Sequence, residues 1–94
     1  MKFGEAIEAM HEDKKVARIG WNGRKMGKPM WVVWMPPVVI DEGLVNGRTK
    51  KHVPKGDLNV GGYMVLMTAQ GVWQPGWHPS TQDVHADDWE VIEP

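Results

Sequence analysis

The 94-residue sequence has no cysteine, which excludes disulfide bonds and thiolate metal sites and agrees with a reducing cytoplasm. It also lacks any apolar run near the roughly 18 residues of a membrane span. The longest run, residues 30–40, is interrupted by Pro36 and Pro37. The first ten residues carry Glu5 and Glu8 and lack the apolar stretch of a secretory signal. We therefore expect one small domain over residues 1–94, without a signal peptide or membrane partner.

Positive charge is absent from the last two fifths of the chain. All 11 Lys and Arg lie in residues 1–55 beside 6 Asp and Glu, giving +5. Residues 56–94 hold 6 Asp and Glu and no Lys or Arg, giving −6. Because the basic residues are scattered and form no Arg-rich run, we expect the two halves to pair their charges. Binding of a nucleic-acid polymer is not indicated.

Phenylalanine and tyrosine are scarce, with one of each, whereas tryptophan occurs six times. Trp is large and carries an N–H donor, so six Trp in a small chain are not all expected to be fully buried. We expect some of them to face a ligand or a partner chain. Because a chain of this length has a small hydrophobic core, self-association would also stabilise it.

The hydrophobic pattern predicts an α+β fold, a small single domain with a mainly antiparallel sheet. Phe3, Ala6, Ile7 and Met10 have the spacing of one face of an N-terminal helix, about residues 3–12. Strands are predicted at residues 16–19, 30–35, 63–67 and 89–92, and a further strand is predicted to begin at residue 72. Residues 38–40 are predicted to continue the 30–35 strand at an edge of the sheet. Residues 41–61 are expected to form an excursion loop with at most one weak hairpin. Ser80-x-x-Asp83 is similar to a capping box and predicts a short C-terminal helix, residues 81–87, before the last strand.

Sequence signatures of catalysis or metal binding are missing. The four His, at positions 11, 52, 78 and 85, include no pair with the i, i+4 spacing of a helical zinc site. Ser80 lies in no Gly-x-Ser-x-Gly elbow, the adjacent Asp87 and Asp88 would point apart, and there is no glycine-rich phosphate loop. We therefore expect no metal, no cofactor and no enzymatic activity. Ligand binding is the remaining chemistry.

Two segments contain residues suited to a flat, hydroxyl-rich ligand. Trp21 and Trp77 could each stack on a base, and Arg18 or Arg24 could hold a phosphate. Asp83 could accept hydrogen bonds from ribose hydroxyls. The further polar residues beside these are Asn22, Ser80, Thr81 and Gln82. The same residues allow a second interpretation, in which the two Trp fill the core or an interface and Ser80 and Asp83 only cap the helix.

Both ends of the chain resemble the second Thoeris anti-defence family of small phage and prophage proteins. The residues that carry the resemblance are Phe3-x-x-Ala6-Ile7, Lys15-Val16-Ala17-Arg18-x-Gly20-Trp21-Asn22-Gly23 and Gly76-Trp77-x-Pro79-Ser80-x-x-Asp83-x-x-Ala86-x-Asp88-Trp89-Glu90. They span about half of the chain, and residues 36–62 contribute nothing. The family often has Gly near position 13, where this chain has Asp13, so the turn after the first helix could differ.

The resemblance implies a non-enzymatic molecular sponge in the cytoplasm of an infected bacterium. Such proteins capture the cyclic ADP-ribose-type signal of a TIR-domain enzyme, for example glycocyclic ADP-ribose, so that the effector stays inactive. They form homo-oligomers, typically tetramers, with pockets at subunit contacts, and some members hold cyclic di- or trinucleotides of CBASS defence at separate sites. The positions that match are Trp21, Asn22, Trp77, Ser80 and Asp83, with Thr81 and Gln82 adjacent and Trp73 on the preceding strand. The alternatives are a nucleotide-modifying enzyme and a phage accessory protein that binds no ligand.

Overall fold

A computed structural model describes residues 1–21, 27 and 29–92. Its elements are helix α1 (Phe3–His11), strands β1 (Lys15–Arg18), β2 (Trp31–Met35) and β3 (Val38–Ile40), a 3₁₀ turn (Glu42–Leu44), helix α2 (Gly47–Lys50), strands β4 (Leu58–Val60), β5 (Tyr63–Met67) and β6 (Trp73–Pro75), helix α3 (Thr81–His85) and strand β7 (Trp89–Ile92). The predicted α+β class, with a helix at the start and a short helix before the last strand, is confirmed. Helix α3 ends two residues earlier than predicted.

The main sheet has five strands in the order β6-β5-β2-β1-β7, and all four pairings are antiparallel. Strand β1 lies between β2 and β7, and Arg18 is paired with Trp89 in the register of β1 and β7. This pairing joins the two ends of the chain. It therefore brings the two segments that the sequence singles out to the same region of the molecule.

One face of the sheet is covered by α1. The buried side of this helix, Ala6, Ala9 and Met10, packs against Val16, Val32 and Trp89. The turn after α1 places Asp13 at φ 65°, in the left-handed region. Asp is among the non-glycine residues that enter this region most often, so the turn that glycine would favour forms without it.

Residues 36–62 form a projection that we call the arm. Strands β3 and β4 pair in a separate two-stranded sheet, and the 3₁₀ turn and α2 lie between them. The prediction that residues 38–40 continue the main sheet at its edge is wrong. Pro36 and Pro37 have no backbone N–H to continue the β2 ladder, which ends at Met35. The chain as a whole extends 45 Å in one direction and 26 Å in the other two.

Candidate ligand-binding site

Arg18 is the centre of an ion network that connects β1 to the segment around α3. Its Nε donates to Oδ1 of Asp88 at 2.8 Å, and its Nη1 donates to Oδ1 of Asp83 at 3.0 Å. The three side chains are 22%, 28% and 12% exposed, respectively. Since one guanidinium faces two carboxylates, the network has a net charge of −1. A phosphate at Arg18 would meet both carboxylates, so in this arrangement Arg18 is a brace between distant segments.

Asp83 accepts hydrogen bonds on both carboxylate oxygens. Oδ1 accepts from Arg18 and, at 3.4 Å, from Nε1 of Trp21, and Oδ2 accepts from the backbone N–H of Ser80 at 2.9 Å. The Ser80 hydroxyl in turn accepts from the Asp83 backbone N–H at 3.1 Å. The predicted capping box is therefore confirmed. The carboxylate holds Trp21 and the start of α3 together, and these three donors occupy three of its roughly four acceptor positions.

Three indole rings form an aromatic cluster beside this network. Trp21 and Trp77 have ring centroids 6.1 Å apart at 72°, and each makes a similar edge contact with the buried Trp89. Trp89 donates from Nε1 to the backbone carbonyl of Asp83 at 2.8 Å. Trp21 and Trp77 are half-buried. Because they touch edge to face, they cannot sandwich one base between them in a single copy. Each ring can only offer the surface that the cluster leaves exposed.

Two glycines place these rings. Gly76 has φ 80°, and the N–H groups of Gly76 and Trp77 both donate to the carbonyl of Met64, at 2.9 and 3.1 Å. The N–H of Gly20 donates to Oδ2 of Asp88 at 2.9 Å, and a Cβ at Gly20 would lie 3.1 Å from that oxygen. Asp88 therefore fixes the loop that carries Trp21, and glycine permits the close approach.

The structure brings together five of the predicted ligand-binding residues and not the others. Those that meet are Arg18, Trp21, Trp77, Ser80 and Asp83. Thr81 and Gln82 are exposed on the first turn of α3. Trp73 lies on the opposite face of the sheet, with its ring 6.2 Å from Trp31. Asn22, with the possible phosphate contact Arg24, lies outside the described residues.

Asp88 and Trp89 were not assigned a role from the sequence, although both lie in the C-terminal motif. The charge imbalance between the two halves indicated that basic and acidic residues would pair, and Arg18 with Asp83 and Asp88 does so across 65 and 70 residues. The charge distribution in the sequence did not indicate which carboxylates would bind Arg18. Within residues 1–21, 27 and 29–92, no three acidic or His side chains are placed to hold a metal ion. The helices in these ranges include none that is long and apolar enough to cross a membrane.

The ion network shifts the pKa of each partner. The Arg18 guanidinium, helped by the Gly20 N–H, holds the pKa of Asp88 below its usual value. Burial acts to raise the pKa of Asp83, but the hydrogen bonds from Ser80, Arg18 and Trp21 outweigh it and the pKa is lowered. Asp88, and then Asp83, raise the pKa of Arg18. Both carboxylates are thus ionised at neutral pH.

These shifts predict a loss of stability in acid. A carboxylate with a lowered folded-state pKa contributes its full stability above the unfolded pKa of about 4, and loses it as the pH falls through the folded pKa. We expect the free energy of unfolding to drop between about pH 5 and pH 2, and to drop less in Arg18→Met. Urea titrations at several pH values measure this. Parallel pH profiles for the two proteins would contradict the prediction.

The fold and the site define a small α+β domain whose joined ends carry a braced aromatic cluster. The family model for the Thoeris anti-defense 2-like domain matches residues 1–92. A curated relative, Thoeris anti-defense 2 of Bacillus phage SP01, is 29% identical over 92 residues, which are 98% of this chain and 94% of the relative. The chain belongs to the Thoeris anti-defense 2-like family, and the resemblance drawn from its two terminal motifs is confirmed.

Proposed function

We propose that this chain is a phage anti-defence protein that binds a cyclic ADP-ribose-type signal, such as glycocyclic ADP-ribose, and sequesters it without cleavage. Capture would take place in the cytoplasm of the infected bacterium and leave the Thoeris effector inactive. The observation that carries the proposal is the pair of half-buried rings, Trp21 and Trp77, which touch edge to face beside an ion network that binds Trp21, in a chain of this family. Cyclic di- or trinucleotides of CBASS are possible further ligands of the same sponge.

The residues divide into those that would touch the ligand and those that hold them. The exposed sides of Trp21 and Trp77 would stack on the bases or sugar faces. Ser80, Thr81 and Gln82, on the exposed start of α3, would supply hydrogen bonds to hydroxyls. Arg18, Asp83 and Asp88 would act mainly as positioning residues, because Nε and Nη1 of Arg18 already bind the two carboxylates.

A second copy of the chain would complete the pocket. In one copy the two rings contact each other edge-on, so within the described part of the chain they can cover a stacked ligand on one side only. We therefore propose a homo-oligomer, a tetramer built of dimers, in which a neighbouring copy closes the open side. This arrangement would bury more of the ligand than one copy can.

Binding without turnover is supported by the chemistry of the cluster. Asp83 and Asp88 are held ionised by Arg18 and cannot donate a proton at neutral pH. The hydroxyl of Ser80 accepts from the Asp83 backbone N–H, and this contact does not activate it as a nucleophile.

We expect the ligand to leave the protein unchanged. A stoichiometric complex, heated until the protein denatures, should release material with the original mass and the original power to activate the effector. Mass spectrometry and an effector assay on the supernatant measure both. A converted product would establish the enzyme alternative, and no heat of binding to any cyclic nucleotide would establish the accessory alternative.

A further inference from the structure

The end of the arm, residues 41–57, carries a cluster of positive charge beyond the paired strands β3 and β4. Four cations fall within residues 48–55, and this segment contains no Asp or Glu. All four are exposed, and within residues 1–21, 27 and 29–92 none of them has an ion-pair partner. We call this set the basic patch: Arg48, Lys50, Lys51 and Lys55.

Local hydrogen bonds hold the basic patch in place and leave its charge uncompensated. The Asn46 side chain accepts from the backbone N–H of Thr49 at 2.9 Å and begins helix α2, which carries two of the four cations. Asp41 and Asp57 accept from backbone N–H groups of the 3₁₀ turn, at 2.9 and 3.0 Å. Because these carboxylates stabilise the turn and do not pair with Lys or Arg, four like charges share one short segment. A partner of opposite charge would relieve their mutual repulsion.

A cavity of about 240 Å³ opens beside the basic patch. Val45, Val53 and Pro54 give it apolar walls, and Lys50 and Lys55 line it as well. Among residues 36–62, all of which the structure describes, Val45 alone is buried. Pockets for small molecules usually measure about 300–1,000 Å³, so this smaller cavity suits a single side chain better than a whole ligand.

The lining of the cavity indicates which chemical group would enter it. Glu42 also lines the cavity, and its carboxylate would repel an anion inside. A neutral apolar group is therefore favoured within the cavity, and negative groups are favoured outside it, on the basic patch. A polynucleotide fits this pattern poorly. Residues 36–62 contain no Phe, Trp or Tyr for base stacking, and a phosphate backbone has no apolar group to fill the cavity.

We propose that the basic patch and its cavity form a docking surface for an acidic segment of a different protein. One large apolar side chain of that segment fills the cavity and anchors the contact, as buried anchors do in other interfaces. The Asp and Glu residues on either side of it meet the cations of the patch, which speeds association and fixes the orientation of the segment. The inference does not rest on the proposed function, because it uses no residue of the site around Trp21 and Trp77.

Selection from a random peptide library displayed on yeast tests the surface, with the labelled wild-type protein as bait. We expect the enriched peptides to be acidic and to share one large apolar residue. Fluorescence anisotropy then measures the most enriched peptide against wild type, Lys55→Glu and the matched control Lys14→Glu. Both variants change an exposed Lys to Glu, but Lys14 lies outside the arm and pairs with Glu12. Affinity should fall about tenfold or more in Lys55→Glu and stay at the wild-type value in Lys14→Glu. Replacing the apolar residue of the peptide with Ala should also weaken binding about tenfold.

Three results would overturn the inference. The first is a selection that enriches no acidic peptides, and the second is an acidic peptide that binds folded Lys55→Glu as tightly as wild type. The third is tighter binding of the wild type to single-stranded DNA or to phosphatidylserine vesicles than to the peptide. Circular dichroism establishes that each variant is folded, and Arg48→Glu replaces Lys55→Glu if the latter does not fold. Calorimetry with cyclic ADP-ribose reports on the proposed function separately, and we expect wild type and Lys55→Glu to give the same affinity.

Discussion

Replacing Trp77 with Ala is expected to weaken binding of the cyclic ADP-ribose-type ligand by about ten- to a hundredfold or more. The substitution removes one stacking surface, and such a surface contributes about 1–3 kcal/mol per base. Trp21→Ala should have an effect of the same size, since it also removes one stacking surface. Calorimetry against a panel of cyclic ADP-ribose isomers and cyclic dinucleotides measures the affinity and identifies the preferred ligand.

Trp34→Ala is the matched control for both. Trp34 is also a half-buried tryptophan on the α1 face of the sheet, but its ring contact is with His11 at 5.3 Å. The Trp34→Ala variant should have a lower melting temperature than the wild type and the same affinity for the ligand. If Trp21→Ala and Trp77→Ala behave in the same way as this control, the two rings are scaffold, and the pocket has to be sought at Trp31 and Trp73.

Arg18→Met is expected to lower the free energy of unfolding by about 2–4 kcal/mol at neutral pH. The change leaves Asp83, with a side chain only 12% exposed, without its cation, and it also releases Asp88. Breaking a fully buried ion pair costs about 3–5 kcal/mol, and the partial exposure of this network reduces the figure. Urea unfolding followed by tryptophan fluorescence measures the difference.

Lys14→Met is the control for that loss. Lys14 pairs with Glu12 at 3.2 Å, but the two side chains are 51% and 67% exposed. An exposed pair of this kind contributes about 0–1 kcal/mol, so the control should remain close to the wild type. If Arg18→Met and Lys14→Met lower the free energy of unfolding equally, solvent screens the Arg18 network and the network does not stabilise the fold.

Asp83→Asn separates the two roles that the sequence left open for this residue. Asn keeps the shape and one acceptor but loses the charge that Arg18 and Trp21 share. We expect lower stability together with weaker ligand binding, because the Trp21 ring loses its anchor. Weaker binding at unchanged stability would instead indicate direct contact with the ligand, as the ribose interpretation requires.

Much of the fold could be predicted because its signals are local. The spacing of Phe3, Ala6, Ile7 and Met10 suits only one face of a helix, and helix α1 follows it. The β-branched and aromatic runs around Val32 and Val65 became the central strand β2 and its neighbour β5. The capping box at Ser80 also formed, since its hydrogen bonds join residues three apart. The separate β3–β4 sheet was missed, because a three-residue strand shows too little pattern to reveal its partner.

The site was predictable in its residue types and not in its arrangement. The sequence by itself determined that aromatic, basic and acidic residues lie in two terminal motifs, and that these motifs belong to one family. Only the tertiary structure decided that Arg18 meets Asp83 and Asp88, and that Trp73 faces away from Trp21 and Trp77. The physical reason is that strand order and register decide which distant side chains meet and which share a face. Strand order and register depend on the packing of the whole chain, so they cannot be predicted from residue spacing within a short segment.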